Sequence, residues 1–293
     1  MNNAYARHIF ALLLYGSSGV VSTFISLSST DIVLLRLILG TALLAVLFFV
    51  TGNRITAHHY RKDLLYILIS GIGMSAEWLC LFASFTTIGV GLGTLINYAG
   101  PAIVIVLSPL LFHERISSSR LTAFLCALLG VILISGQIVV GGLNLQGLLF
   151  ACGAALGYAV VVLANKKTEH VSGFENALFQ LLFAALFTFL IFLLRAAFGM
   201  GSLLPAITAS DILPVLWIGL INTGIGGYCY FSSIGKLPAQ SVAIIGYVEP
   251  LFSVLLSALI LGERMHAVQI LGAVCIIGGA LYGELAGRSS APA

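Results

Sequence analysis

The sequence predicts an all-α membrane protein in which ten transmembrane helices form two inverted five-helix repeats. Three observations predict this fold class: the composition, the division of the chain into apolar runs, and an internal repeat. Of the 293 residues, 60% are hydrophobic and 8% are charged, and the mean hydropathy is +1.12. A typical soluble domain is about 25% charged, so a globule made from this chain could not cover its surface with polar groups. The lipid bilayer is therefore the expected surrounding, and the net charge of +3 is too small to suggest a nucleic-acid partner.

Apolar runs of about 20 residues, the length that crosses the hydrocarbon core, alternate with short polar loops. Backbone groups in lipid must bond internally, and the alternation typical of barrel strands is absent from the sequence, so we interpret these runs as helices. The predicted spans are residues 8–27, 31–51, 64–84, 88–112, 119–138, 145–165, 174–197, 211–233, 238–261 and 266–285.

Lysine and arginine in the loops set the orientation, because cytoplasmic loops carry the excess of these residues. With the N-terminus in the cytoplasm, the inner segments hold ten of them and the outer side holds two, Arg195 and Arg264, with Arg36 left out because it lies within a span. Both termini are therefore predicted to be cytoplasmic. The first 19 residues resemble a signal peptide, but no cleavage site follows closely, so we interpret them as the first retained helix.

The internal repeat joins residues 97–115, NYAGPAIVIVLSPLLFHER, with residues 246–264, GYVEPLFSVLLSALILGER. At a constant offset of 149 the two stretches share Tyr98/Tyr247, Pro101/Pro250, Ser108/Ser257, Leu110/Leu259, Glu114/Glu263 and Arg115/Arg264. The offset divides the chain into a first repeat at 1–142 and a second at 143–293. Five spans in each half give the halves opposite orientations in the membrane, which is a recurring design of secondary transporters.

These features together resemble the EamA family of the drug/metabolite transporter superfamily. They are ten spans in two halves, an arginine early in span 2, and a proline followed by a Glu-Arg ending on spans 4 and 9. Glu249-Pro250 matches the family's usual Glu-Pro pair, whereas the first half has Gly100-Pro101. The resemblance covers essentially the whole chain and implies a multi-pass carrier of small metabolites in the bacterial inner membrane, often an exporter of amino acids or related compounds.

The resemblance and the sequence together set further expectations about cofactors and partners. No nucleotide-binding motif occurs, so we expect a secondary carrier with no cofactor and no metal. Its expected partners are a small-molecule substrate, the bilayer and a coupling proton, and we expect a monomer or a homodimer.

Three ionisable residues lie inside spans, where a charge is costly and usually functional. From the rise of about 1.5 Å per residue, Arg36 lies roughly 8 Å, Glu77 roughly 10 Å and Glu249 roughly 18 Å below the outer ends of their spans. Arg36 is either an anchor or the ion-pair partner of Glu77. Glu77 is alternatively balanced by a proton or by a cationic substrate. Glu249, near the midplane, is predicted to bind substrate or to gate.

Other polar and aromatic residues are predicted to line the same site. Span 3 carries a stripe of small and polar residues at steps of three and four that should face the bundle interior, namely Ser70, Gly73, Glu77, Cys80 and Ser84. The remaining candidates for substrate binding are Trp78, Asn97, Tyr98, Tyr158, Asn222, Tyr230 and Tyr247. The asparagines either bind substrate or hydrogen-bond between helices. Pro101 and Pro250 are predicted to gate, because each frees a carbonyl and loosens its helix beside a cavity.

The predicted function is export of an amino acid or a related metabolite by alternating access. The alternative is a proton-coupled or uniport carrier of an organic cation, such as choline or another amine, because aromatic rings around a carboxylate attract positive charge. A remote alternative is an intramembrane protease, since residues 16–19 fit a short GxSG pattern. A serine nucleophile needs a base, and all six histidines are predicted to lie at span ends or in loops, so we do not expect an enzyme. A purely structural scaffold would not explain the buried carboxylates.

Overall fold

The computed structural model describes residues 2–88, 93, 96–112, 118–135, 144–199, 205–260 and 267–289. The described chain is helical and contains no strand, which confirms the all-α class. Besides a 3-10 turn at Ala57–His59 and a π-helical segment at Trp217–Gly226, its elements are α1 (Asn2–Ser22), α2 (Ser29–Val50), α3 (Arg61–Ile88), α4 (Gly100–Phe112), α5 (Ser118–Ser135), α6 (Leu145–Lys166), α7 (Gly173–Ala197), α8 (Ala209–Leu216), α9 (Gly227–Ile234), α10 (Ala239–Gly246), α11 (Val248–Ile260) and α12 (Ala267–Ser289).

Five helices of the described chain are long and apolar enough to cross a membrane: α2, α3, α6, α7 and the rod Ala209–Ile234. This rod, called the α8–α9 rod below, joins α8, the π-helical segment and α9. The outside of the bundle is apolar, and Val50, Phe198 and Leu259 expose 78%, 77% and 81% of their surface. Apolar side chains this exposed are suited to contact with lipid.

The helix packing brings distant parts of the sequence together. Helix α3 packs on α6 and α7, and the α8–α9 rod packs on α1 and α2. Helix α4 packs on α6, α11 packs on α1, and α5 packs on α12. The candidate functional side chains described below line a space between helices of both halves of the sequence.

The predicted span 238–261 is interrupted near its middle, which the sequence interpretation as one helix missed. The structure has two helices there, α10 and α11, separated by Tyr247. In predicted span 4, residues 96–97 are helical, Tyr98 and Ala99 form a turn, and α4 follows. In both places the break lies just before the proline, Pro101 or Pro250, whose missing N–H leaves a carbonyl of the preceding turn without its helical donor.

Two aspartates fix the loops at opposite ends of the bundle. Asp63, near the start of α3, accepts hydrogen bonds from the backbone N–H groups of residues 169–171 at 3.1, 2.6 and 2.9 Å. Asp211, near the start of α8, accepts from the backbone N–H of Ser26 at 2.7 Å and from that of Thr208 at 2.9 Å. Each carboxylate satisfies donors that would otherwise be unpaired in a loop that connects two helices.

Some expectations fall outside the described residues. These expectations are the Glu-Arg endings at 114–115 and 263–264 and the boundary between the two predicted repeats at 142/143. Helix α1 begins before its predicted span, so His8 lies within the helix rather than at its end, and its side chain is fully buried. Its Nδ1 atom lies 3.1 Å from the hydroxyl of Ser233.

Candidate functional site

A cavity of about 320 Å³ lies inside the bundle. Its walls come from α1, α2, α3, α6, α9, α10 and α11 and from the residues that precede and begin α4. Of the residues singled out from the sequence, nine line it: Arg36, Glu77, Trp78, Asn97, Tyr98, Pro101, Tyr158, Tyr230 and Glu249. Most of the residues predicted for the site therefore lie along one cavity, which has further lining residues that the sequence did not indicate. Asn222, Tyr247 and Pro250 lie outside its lining.

Glu77 reaches the cavity through the stripe on α3, which faces the bundle interior as expected. Ser70 and Ser84 are fully buried and Glu77 is 9% exposed. The Ser70 hydroxyl donates to the carbonyl of Val161 on α6 at 3.1 Å. A Cβ atom built on Gly157 of α6 would lie 2.8 Å from the backbone nitrogen of Glu77. This glycine therefore allows α6 to approach α3 at the level of the carboxylate.

Arg36 does not pair directly with Glu77, which corrects one of the two expectations for this arginine. Its side chain is 6% exposed, and no carboxylate oxygen of the described residues lies within 4.0 Å of it. Its Nε atom donates to the Thr223 hydroxyl at 2.9 Å. Its guanidinium carbon lies 3.8 Å from the centre of the Trp78 ring, a close cation–π contact. The arginine is thus held by a hydroxyl and an aromatic face, and it shares the cavity with Glu77 and Glu249.

Asn97 presents an unsatisfied acceptor in this cavity. Its side chain is 9% exposed, and its amide oxygen is buried without a hydrogen-bond partner among the described residues. Buried polar atoms are nearly always paired, so an unpaired one in a cavity calls for a donor. A bound molecule with an N–H or O–H group would supply it.

Asn222 instead connects helices, which is the other expectation for this residue. It is fully buried, and its side-chain nitrogen donates to the hydroxyls of Ser17 at 3.2 Å and of Ser18 at 2.7 Å. The serines of the short GxSG pattern are thus bonded to an amide, which is not a general base. This part of α1 is therefore hydrogen-bonded to the π-helical segment.

The aromatic residues fall into two groups. Trp78, Tyr98, Tyr158 and Tyr230 line the cavity. Tyr247 is fully buried, and its hydroxyl donates to the backbone carbonyl of Tyr98 at 3.1 Å. The residue at one helix break therefore bonds the backbone at the other.

Sequence reasoning missed the contribution of α1 and of the π-helical segment. Tyr15, Ser18, Gly19 and Ser22 of α1 line the cavity, and Thr223 positions Arg36. The small residues at 16–19 were a signal for α1, since small residues allow a ligand or a helix to come close. Thr223 lies 187 positions from Arg36, and its neighbours in sequence give no signal for this contact.

Comparison with known proteins agrees with this architecture. The sequence model of the EamA-like transporter family matches residues 5–136 and again residues 145–282. The uncharacterized transporter YetK of Bacillus subtilis is 31% identical over 94% of this chain and 85% of its own length. The threonine/homoserine exporter RhtA of Salmonella typhimurium is 24% identical over 92% of this chain and 86% of its own length.

A solved crystal structure superposes with a TM-score of 0.82 at 19% identity, covering 97% of this chain and 98% of the other. At this identity the likeness establishes the fold alone. With the family match across nearly the whole sequence, it follows that this chain is a transporter, not an enzyme, and belongs to the EamA-like transporter family.

Proposed function

We propose that the protein is a secondary active transporter that exports a small metabolite, an amino acid or a related compound, across the bacterial inner membrane. The observation that carries the proposal is the cavity, where Arg36, Glu77 and Glu249 face one space of about 320 Å³ inside an apolar bundle. Ionisable groups in membrane segments are costly and mark the paths of substrates and ions. This volume is at the small end of the range of about 300–1,000 Å³ for ligand sites, which suits a metabolite.

The relatives support export as the direction. The name of the Salmonella typhimurium relative states that it exports threonine and homoserine. Both are small amino acids that carry an ammonium and a carboxylate group. A cavity with one cation and two carboxylates has partners for both groups.

Alternating access is supported by an interchange of helix contacts. Helix α3 of the first half contacts α6 and α7 of the second half, and the α8–α9 rod of the second half contacts α1 and α2 of the first in the same way. Likewise, α4 of the first half contacts α6, and α11 of the second half contacts α1. Exchanging residues 1–142 for residues 143–293 converts each contact into its counterpart, as a two-fold axis would. Two inverted halves have two related shapes, each open to one side of the membrane. We therefore retain ten spans in two repeats as part of the proposal.

The direction in which the cavity opens follows from the loop charges. The cavity extends to Ser22 and Thr23 at the end of α1 and to Phe85 near the end of α3. Both ends face outward under the predicted orientation. At the opposite end every residue of α10 is buried, and Lys166 donates to the carbonyl of Leu237. We assign this conformation to the outward-open state, with both termini in the cytoplasm.

A flux measurement tests the function. Proteoliposomes that contain the full chain and are loaded with labelled threonine, homoserine or leucine should release label faster than protein-free liposomes. Glu77→Gln should abolish the difference. Protein-dependent release of none of these compounds would reject amino-acid export.

Reporter fusions test the orientation independently. Fusions after Arg61, after Lys167 and at the C-terminus should report cytoplasm, and a fusion near Ser202 should report the outside. An outside signal at Lys167 would contradict the inverted halves while leaving the flux result in place.

Transport of an organic cation is the second candidate, and a specific observation favours it. Among the described residues that line the cavity there are two carboxylates and one arginine, and Tyr98, Tyr158 and Tyr230 line the same space. Aromatic faces near a carboxylate attract ammonium groups. The Trp78 ring, however, is already in contact with Arg36. Protein-dependent flux of labelled choline, without flux of amino acids, would establish this function instead.

A further inference from the structure

Arg36 is the one lysine or arginine among the described residues that line the cavity, and only part of its hydrogen-bonding capacity is used. A guanidinium group has five N–H donors, and the bond to Thr223 uses the one on Nε. The terminal nitrogens make no hydrogen bond to the described residues, and the side chain lines the cavity. The free edge is the fork that binds a carboxylate through two parallel hydrogen bonds.

Two contacts fix the direction of this fork. Trp78 covers one face of the guanidinium plane at 3.8 Å, and Thr223 accepts from Nε at 2.9 Å. The Thr223 hydroxyl in turn donates to the carbonyl of Ile218 at 2.8 Å, five residues earlier in the π-helical segment. The only proton of this hydroxyl is therefore used within the protein. Thr223 is a positioning residue that orients Arg36.

The close approach of α2 to the π-helical segment makes this bond geometrically available. A Cβ atom built on Gly40 would lie 2.7 Å from the Thr223 side chain and 3.1 Å from the backbone nitrogen of Gly224. Gly40 lies one helical turn beyond Arg36 on α2. The absence of a side chain there lets the two segments come into contact beside the arginine.

The cavity also contains a group of hydrogen-bond acceptors. Glu77 and Glu249 are carboxylates, and the buried amide oxygen of Asn97 has no partner among the described residues. An ammonium group has three donors and would satisfy these acceptors. The cavity therefore has a fork of donors at Arg36 and a set of acceptors around Asn97.

We propose that Arg36 selects substrates with a carboxylate group, that Thr223 and Trp78 hold its guanidinium for this purpose, and that Asn97 and Glu77 receive the substrate ammonium group. This inference rests on the proposed function and specifies how the cavity recognises its substrate. It distinguishes an amino acid from the amine that lacks its carboxylate. Such discrimination is large where a buried donor is left unpaired by the wrong ligand.

Ligand-induced thermal stabilisation of the purified full chain tests the proposal. The probes are three amino acids and the amines without their carboxylate: threonine with 1-amino-2-propanol, leucine with isoamylamine, and phenylalanine with phenethylamine. At least one amino acid should bind roughly tenfold more tightly than its amine, because a hydrogen-bonded charged group would be lost. This comparison uses the wild-type protein and needs no variant. Equal affinities within every pair would overturn the proposal.

Variants then separate positioning from structure. Thr223→Val keeps the side-chain shape and removes the hydroxyl, so it should reduce amino-acid affinity roughly tenfold without changing the affinity for the amine. Thr223→Ser should restore the discrimination. The matched control is Thr41→Val on α2, because the Thr41 hydroxyl is buried and has no partner among the described residues. The role of Thr223 would be refuted if Thr41→Val lost the preference for the amino acid over its amine, or if Thr223→Val kept this preference in full.

The remaining outcomes separate this inference from the function. If amino acids bind and cross the membrane while their amines bind equally well, the selection by Arg36 fails and export stands. If amines alone bind, both the selection by Arg36 and amino-acid export fail. Wild-type protein that binds none of the six compounds and transports no amino acid would overturn the proposed function, and this inference with it.

Discussion

The contact between α3 and α6 at Gly157 offers a direct test of the packing around the site. In Gly157→Ala, the new Cβ atom would lie 2.8 Å from both the Cβ and the backbone nitrogen of Glu77 and 2.9 Å from its Cα. Ordinary carbon contacts begin near 3.5 Å, so the two helices must separate by about 0.7 Å. Backbone atoms cannot rotate away as a flexible side chain does.

The cost of this substitution follows from two opposing effects. Overpacking of this kind destabilises by about 1–3 kcal/mol, and alanine in place of glycine within a helix returns about 0.5–1 kcal/mol. The expected net loss is about 0.5–2 kcal/mol, together with reduced transport because Glu77 is displaced. The measurement is thermal unfolding in detergent, followed by flux in proteoliposomes.

Two other glycines provide matched controls. On the same helix, a Cβ atom at Gly153 would meet only the Cys80 side chain, at 3.3 Å, and at Gly278 of α12 it would meet nothing within 4 Å. Gly153→Ala should therefore lower the melting temperature only slightly, and Gly278→Ala should leave it unchanged or raise it. The reasoning is refuted if Gly157→Ala melts at the same temperature as Gly153→Ala and transports as well.

Three further predictions concern charges and prolines. Asp63→Asn and Asp211→Asn should each lower the melting temperature, with a loss of stability of about 1–2 kcal/mol, because each carboxylate accepts hydrogen bonds from several loop N–H groups. An unchanged melting temperature in both variants would show that the loops do not depend on these carboxylates. Pro101→Ala and Pro250→Ala should leave the melting temperature near that of the wild type but slow the initial transport rate, since restoring a helical hydrogen bond stiffens the segment; unchanged initial rates in both variants would reject a gating role. Glu77→Gln should melt normally and lose transport, because Arg36 keeps its contacts when the carboxylate charge is removed; normal melting with normal transport would place the site elsewhere, and a large drop in melting temperature would indicate a structural pairing instead.

The sequence predicted the features that depend on the cost of charge in lipid. An arginine or a glutamate within an apolar run must face protein or a polar cavity, so Arg36, Glu77 and Glu249 could be assigned to the site from the sequence. The stripe around Glu77 was predictable for the same reason, because helical spacing alone decides which residues share a face.

The features that depend on tertiary contact could not be predicted in this way. The partner of Arg36 is set by the packing of α2 on the π-helical segment, and a wider helical turn has no simple signature in hydrophobic periodicity. The prolines indicated weakened helices, yet the hydrogen bond from Tyr247 to the carbonyl of Tyr98, which joins the two breaks, has no signal in the sequence. Asn222 could be assigned to neither of its two expected roles until its serine partners were known.

The π-helical segment has a consequence for how this protein tolerates changes in length. A π turn holds more residues than an α turn, so removing one residue from Trp217–Gly226 would relax the segment toward α-helical geometry. Because the relaxed turn closes on the same carbonyl with one residue fewer, the deletion would be absorbed within the segment, and α9 would keep its orientation toward α1 and α2. The same deletion in the regular helix α9, just before Tyr230, would instead rotate the residues that follow by about 100° and turn Tyr230 away from the cavity. The π-helical segment is therefore the part of this rod in which the loss of one residue disturbs the cavity least.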